Sequence, residues 1–358
     1  MLLRSSLLCL MATATWLLSC QSEADPTAIV SPNGQNRIEF RLSPEGAPSY
    51  LVNHGEEIII EPSTMGFEFQ VQAPLQAGLK ILGTQQRTGD ETWEMPWGEQ
   101  REVRNHYREL EVQLAEQAAP NRKLNVRFRA YDDGVAFRYE FLPQEGVDTL
   151  IIMDEHTEFQ LTGDHTAWWI PGDWDIYEHK YNTSKVSEID ALAKRGNADL
   201  ASTTIPENAV NTPVTMRAAS GTHLSFHEAN LTDYAGMTLK VDTETHKLTS
   251  ELVGSDLRGF QVKRALPFHT PWRTIQIADE AADLIESKLI VNLNEPNKLG
   301  DMSWFTPMKY VGIWWEMHLG VSTWDMEATQ DMNTFATLGK EQTSSKHGAT
   351  TENTKRYI

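Results

Sequence analysis

Leu124-Asn125-Val126-Arg127-Phe128-Arg129-Ala130 and Val135-Ala136-Phe137-Arg138-Tyr139-Glu140-Phe141 alternate apolar and polar residues on either side of Asp132-Asp133-Gly134. A period of two is the signature of a half-buried strand, because successive side chains leave an extended backbone on opposite faces. Gly at the turn supplies the positive φ that a tight hairpin requires. The stretch therefore predicts an antiparallel hairpin with one apolar face.

The same rhythm extends in both directions. From about residue 35 to 293, short alternating segments are separated by Gly, Pro, Asn and Asp, with further strands expected at 37–42, 150–153, 214–218, 224–228, 237–241 and 272–278. So many strands predict a mainly β fold of two packed sheets, since a single sheet would leave an apolar face in water. Helical text is scarce: residues 187–194 carry Ile189, Leu192 and Ala193, and residues 279–287 offer a second short segment. Neither is long enough to organise a domain.

The register changes at Asn292-Leu293-Asn294-Glu295-Pro296-Asn297, a polar joint containing proline. Beyond it, Tyr310-Val311-Gly312-Ile313-Trp314-Trp315 is a continuous apolar run, as expected of a strand buried on both faces. Residues 325–348 read as a long loop, and Thr350-Thr351-Glu352-Asn353-Thr354-Lys355-Arg356-Tyr357-Ile358 as the start of a helix with hydroxyl caps and an acid in its first turn. Strand, loop and helix start make the first unit of a parallel α/β barrel, which cannot bury its own faces alone. The expectation is a fragment: a leader over 1–20, a β domain over 21–298, and the truncated start of a (β/α)8 barrel over 299–358.

The leader has Arg4, an apolar run over 7–18 and then Ser19-Cys20, the order of a secretory signal. Leu17-Leu18-Ser19-Cys20 has the pattern of a lipoprotein cleavage site, so Cys20 is the expected lipid attachment point and the body is expected to be exported and held on the membrane by its acyl chains. Gln21 and Ser22 follow, without an aspartate at the sorting position, which favours the outer membrane in a Gram-negative cell. No later segment approaches the roughly 18 apolar residues of a membrane helix. Cys9 and Cys20 both lie in the leader, which leaves the body no disulfide. The formal net charge of -19 comes from dispersed acids. It argues against nucleic acid and anionic lipid surfaces as partners and leaves neutral substrates or cations.

Three segments resemble glycoside hydrolase family 97: the run from Phe128-Arg129-Ala130-Tyr131 to Arg138-Tyr139, then His227-Glu228-Ala229-Asn230-Leu231-Thr232-Asp233-Tyr234, and Lys309-Tyr310-Val311-Gly312-Ile313-Trp314-Trp315-Glu316-Met317-His318 with His347-Gly348-Ala349-Thr350 behind it. The resemblance implies an N-terminal β-super-sandwich, a catalytic (β/α)8 barrel and a C-terminal β domain, of which this chain holds the first and the beginning of the second. It implies hydrolysis of α-glycosidic bonds in oligosaccharides by two carboxylates, with a calcium ion near the catalytic base. Family α-glucosidases invert and α-galactosidases retain, outcomes tied to carboxyl separations of about 6.5–9.5 Å and about 5–5.5 Å. Those carboxylates belong to later barrel strands, so no catalytic residue is expected here. An α-glucosidase acting on starch-derived oligosaccharides is the leading reading; an α-galactosidase, a carbohydrate-binding module and an aldose epimerase are the rivals.

Besides Cys20, three positions carry the site expectations. In Pro171-Gly172-Asp173-Trp174-Asp175-Ile176-Tyr177-Glu178-His179-Lys180-Tyr181-Asn182, the resemblance makes Glu178 a calcium ligand, one of the six to eight oxygens calcium takes. Asp173 and Asp175 read as solvated loop acids. Trp315, at the C-terminal end of the presumed barrel strand, is the expected sugar platform and Trp314 the core residue; Glu316 follows as a substrate contact, ahead of His318. His227 and Glu228, as strand neighbours, face opposite ways and are expected to be anchors rather than an acid/base pair. Trp93, Pro96, Trp97, Trp168 and Trp169 are expected to pack.

Overall fold

The computed structural model describes residues 25–305 apart from 96, 97, 99, 196–202, 204 and 256, together with residue 320. The chain divides into two compact units, 1–296 and 297–358, and nearly all described residues lie in the first.

Alternation decides which side of each strand is buried. In the strand Gly134–Phe141, Phe137, Tyr139 and Phe141 are buried while Arg138 and Glu140 are half-exposed on the other face. Lys123–Tyr131 runs antiparallel to it in the register Leu124 to Phe141 through Tyr131 to Gly134. Outward from this hairpin grows a ten-stranded sheet: Glu102–Glu116 and Leu79–Glu94 on one side, then Trp272–Ala278, His223–Ala229, Val214–Arg217, Thr166–Trp169 and Asn182–Lys185 on the other, with Phe268–His269 pairing onto Gly134–Phe141. An eight-stranded sheet faces it, ordered Ala28–Val30, Asn36–Leu42, Pro48–His54, Glu57–Thr64, Glu158–Leu161, Lys247–Leu252, Met237–Asp242 and Ala209–Asn211. Strand pairings among the described residues are antiparallel.

Rings from the two inner faces meet between the sheets. Phe40 lies against Phe128 with centroids 6.0 Å apart, Tyr50 against Phe137 at 4.6 Å, and Phe159 against Phe226 at 5.3 Å. Offset and edge contacts of this kind add about 0.5–1.5 kcal/mol each to the burial itself. The two-sheet expectation needs one amendment, because a third sheet of three strands, Val262–Ala265, Thr149–Glu155 and Phe67–Phe69, stands beside the large pair. Its strands carry Phe67 and Phe69 over the margin of the core, where Phe67 meets Tyr139 and Phe141. Segments that pair with neither large sheet thus close a margin that would otherwise be wet.

The helical expectations are corrected as well. Residues 187–194 do not form one helix: a 3-10 turn Val186–Glu188 is followed by extended Ile189 and then by Ala191–Lys194. Ile189 is buried and its carbonyl accepts from Asn208 Nδ2 at 2.9 Å, so packing overrides a weak helical pattern. Residues 279–287 yield only Asp283–Glu286, whose Ile285 is exposed and gives that turn no apolar contact to hold it. A helix that periodicity did not reveal, Leu289–Leu293, packs with Leu289 and Leu293 against Tyr131, Ala136, Ala229 and Trp272. Asp133 accepts from the backbone amides of Lys288 (2.7 Å) and Leu289 (3.0 Å) at its start, so the hairpin turn also fixes this helix. None of the helices among the described residues is long and apolar enough to cross a membrane.

Gly134 is one position with no room for a side chain. Its φ is +152°, and an added Cβ would stand 2.3 Å from the Ile275 carbonyl oxygen. Gly134→Ala is therefore expected to cost about 2 kcal/mol or more, from backbone strain and overpacking together. Chemical denaturation of parent and variant measures it.

Candidate functional site

One margin of the sandwich gathers the polar segments that the sequence singled out, and a chain of hydrogen bonds joins them. The loop 171–182 is attached through Asn211, which accepts from the Asp173 amide at 3.0 Å and donates to the Ile176 carbonyl at 3.2 Å. The next residue, Thr212, pairs with His227 Nδ1 at 3.0 Å and donates to the Met237 carbonyl at 3.1 Å. Met237 in turn donates its amide to Glu228 at 2.9 Å. The Asn230 amide donates to Asn294 Oδ1 at 3.0 Å, just before the chain leaves this unit. Asn230 and Asp233 hold φ values of +56° and +51°, a region that Asn and Asp enter more readily than other residues with a Cβ.

Beneath this margin lies a fully buried ionic cluster. Arg273, with no exposed side-chain surface, donates from Nε and Nη2 to both oxygens of Glu155 at 2.7 Å and from Nη1 to Glu228 at 2.6 Å. Tyr234 and Thr157 donate their hydroxyls to Glu155 at 2.9 Å each. Burial raises the Glu228 carboxyl above the ordinary glutamate range, and Arg273 and the Met237 amide only partly offset it. The Arg273 guanidinium is held further into its charged form: burial opposes this, and the two carboxylates outweigh burial. Charges are tolerated here because every one is paired.

His227 and Glu228 do face opposite ways, as alternation requires. The His227 ring points to the outer face and Thr212, where burial lowers its pKa, while Glu228 points to the core. Both are anchors. Trp169 is buried, with Nε1 donating to Ser184 at 3.1 Å, whereas Trp168 is only half-buried. Trp93 donates to Asn292 at 2.9 Å and so packs over the Leu289–Leu293 helix.

The loop acids divide differently from the expectation. Asp173 is not a solvated acid: it is 4% exposed, and its carboxylate accepts from the amides of Asp175 (2.8 Å), Ile176 (3.2 Å) and Thr203 (3.3 Å) and from His179 Nε2 (2.9 Å). It is the internal cap that shapes the loop, an Asx-type arrangement that the residues Asp173 and Asp175 spaced by two hint at. Asp175 is exposed, with a short contact from the Thr203 hydroxyl. Glu178 is exposed, without a hydrogen bond or ion pair among the described residues. Tyr177 lies near enough to Glu228 that partial desolvation and that carboxylate raise its hydroxyl pKa. Among the described residues no group of three His, Cys, Asp or Glu side chains stands ready to hold a metal. Trp314, Trp315, Glu316, His318, Cys20, Pro96 and Trp97 lie outside the described residues.

Residues 29–296 match the family description "Glycosyl-hydrolase 97 N-terminal". The chain belongs to glycoside hydrolase family 97. Among solved structures it resembles the family 97 enzyme of Pseudoalteromonas sp. strain K8, in complex with panose at a TM-score of 0.76 and with acarbose at 0.75. Identity is 37%, over 86% of this chain and 45% of that one. A retaining α-galactosidase of Bacteroides thetaiotaomicron (strain VPI-5482) is 23% identical over 338 residues, 86% of this chain and 46% of that protein. A β-arabinopyranosidase shares the fold, at 22% identity and a TM-score of 0.60. The chain thus spans a little under half the length of the family 97 relatives it matches.

Two consequences are measurable. Arg273→Met would leave Glu155 and Glu228 buried without a counter-charge, and is expected to cost about 3–5 kcal/mol; urea unfolding reads this, and adding Glu155→Gln and Glu228→Gln to Arg273→Met should recover part of it. Asp173 gives a pH signature. Burial opposes its ionisation, but the His179 bond and the three amides outweigh burial and hold its pKa below the usual carboxylate range. A lowered folded pKa contributes stability that is present above the unfolded value of about 3.9 and is lost as pH falls through the folded value. Asp173→Asn is expected to flatten that part of the acid limb, seen as a smaller drop in unfolding midpoint on acidification.

Proposed function

We propose that this protein is an exported, calcium-dependent α-glucosidase that hydrolyses α-linked glucose oligosaccharides, and that residues 29–296 are the β domain that precedes its catalytic barrel. The observation that carries the reading is the balance of relatives: 37% identity to a family 97 enzyme held in complexes with panose and acarbose, against 23% to the α-galactosidase. Panose is built of α-linked glucose.

In this reading Glu178 supplies one carboxylate to calcium. Its exposed position on a loop pinned by Asp173 suits a ligand that reaches beyond its own domain. Bound calcium would polarise the reaction centre and fix the catalytic base. Trp315 covers one face of a pyranose ring, Glu316 contacts its hydroxyls, and residues 299–358 begin the barrel. The carboxylates that protonate the leaving oxygen and activate water stand outside this chain. Cys20 carries the lipid that holds the body at the outer membrane.

The test uses the protein expressed from its complete gene. Hydrolysis of 4-nitrophenyl α-glucoside is expected, abolished by EGTA and restored by calcium; preferential turnover of the α-galactoside would replace this reading with the retaining α-galactosidase. Residues 1–358 alone are expected to show no turnover, and robust turnover by them would place the carboxylates within this chain. Glu178→Ala is expected to weaken calcium binding by at least about tenfold, the loss seen when even an outer partner of a metal ligand is removed. An unchanged affinity would remove Glu178 from the metal.

A further inference from the structure

Two tyrosines on the loop 171–182 are displayed rather than packed. Tyr177 is 62% exposed and Tyr181 is 64% exposed, one on each side of Glu178. Neither ring hydroxyl makes a hydrogen bond among the described residues.

The backbone beneath them is not loose. Ile176, immediately before Tyr177, donates its amide to Asp173 at 3.2 Å and accepts at its carbonyl from Asn211 at 3.2 Å. His179, between the two tyrosines, is buried and paired with Asp173 at 2.9 Å. Tyr181 directly precedes the strand Asn182–Lys185, in which Asn182 pairs with Trp169. The rings are thus presented from fixed points, and a tyrosine has only two side-chain torsions left to restrict on binding. Rigid tyrosines of this kind give contact area at low entropic cost. Their faces are apolar and their edges carry a hydrogen-bonding hydroxyl, which matches a pyranose with its C–H face and rim of hydroxyls.

We infer that Tyr177 and Tyr181 are aromatic subsites for glucose units of an α-linked oligosaccharide, set on either side of Glu178 on an anchored loop. The ligand class rests on the α-glycosidase reading. Two separate rings serve more than one sugar unit, so their contribution grows with oligosaccharide length and is absent for a single glucose.

Panose and glucose are titrated calorimetrically, with EGTA present to stop turnover, into the protein expressed from its complete gene and into its Tyr177→Ala, Tyr181→Ala and corresponding Phe variants. Each Ala variant is expected to weaken panose binding by about 3–10-fold, the range that an aromatic contact supplies. Glucose affinity and thermal unfolding midpoint should stay unchanged, and Phe should restore most of the panose affinity because the ring face survives. Parent-like panose affinity in both Ala variants, equal losses for glucose and panose, or no panose binding by the parent would overturn the inference. Turnover of 4-nitrophenyl α-glucoside by the parent judges the enzymatic reading separately: its absence alongside tyrosine-dependent panose binding would retire that reading and leave the subsites standing.

Discussion

The interaction on which this domain turns is the pairing of Arg273 with Glu155 and Glu228, out of contact with water. Each partner belongs to a different strand: Arg273 to Trp272–Ala278, Glu228 to His223–Ala229, and Glu155 to the small third sheet. Glu155 also collects Tyr234 and Thr157, and its carbonyl accepts from Ser250 of the eight-stranded sheet. One guanidinium therefore refers all three sheets to a common point. Desolvating three charges is expensive, and hydrophobic residues of equal volume would hold the sheets together at less cost. What they would not supply is direction. A fork of donors accepts its carboxylates in one geometry only, so the cluster fixes the relative placement of strands whose apolar contacts would tolerate sliding.

The outer face of the ten-stranded sheet carries a second paired network. Arg127 reaches Glu109 at 2.6 Å and Glu140 at 2.8 Å as well as Glu111, and Arg129 reaches Glu109 at 2.9 Å. Arg138 and Arg129 lie over the Trp272 ring at 4.6 and 4.9 Å. Glu109 and Glu111 are buried here, so these charges too are largely out of water and are tolerated because each is paired. The network covers an otherwise exposed sheet without making it sticky. Local order thus coexists with an overall charge of -19, because the excess acids sit elsewhere on the surface.

Strands were legible in the sequence because their information is local. Alternation in residues 124–141 is enough to place Phe128 and Phe137 inside and Arg127 and Arg138 outside, and the structure does so. The ionic cluster was not legible, since Glu155 and Arg273 are 118 residues apart and nothing near either names the other. Asp173 escaped for a related reason: an acid in a loop looks solvated until the chain folds back and four donors converge on it. The Leu289–Leu293 helix is too short to show a period, and its N-terminal carboxylate comes from Asp133 in a distant turn. Of the site residues, Glu178 is exposed on its loop, while Trp315 and Glu316 fall outside the described residues. The family itself was readable because whole strings of residues carried it.

The two kinds of polar residue at the margin divide the work between building and meeting. Asp173, His179, Asn211, Thr212 and Glu228 are buried and spend their hydrogen bonds chiefly on backbone amides, carbonyls and neighbouring side chains. Tyr177, Glu178 and Tyr181 are exposed and make no hydrogen bond among the described residues. A loop that displays exposed side chains gains from this division, because each inward bond removes backbone freedom that binding would otherwise have to remove later. The buried Arg273 cluster extends the same logic one layer down: it holds Glu228, Glu228 holds Met237, Met237 holds Thr212, and the neighbouring Asn211 holds the loop. The placement of an exposed glutamate is thereby traced, bond by bond, to a charge that water never reaches.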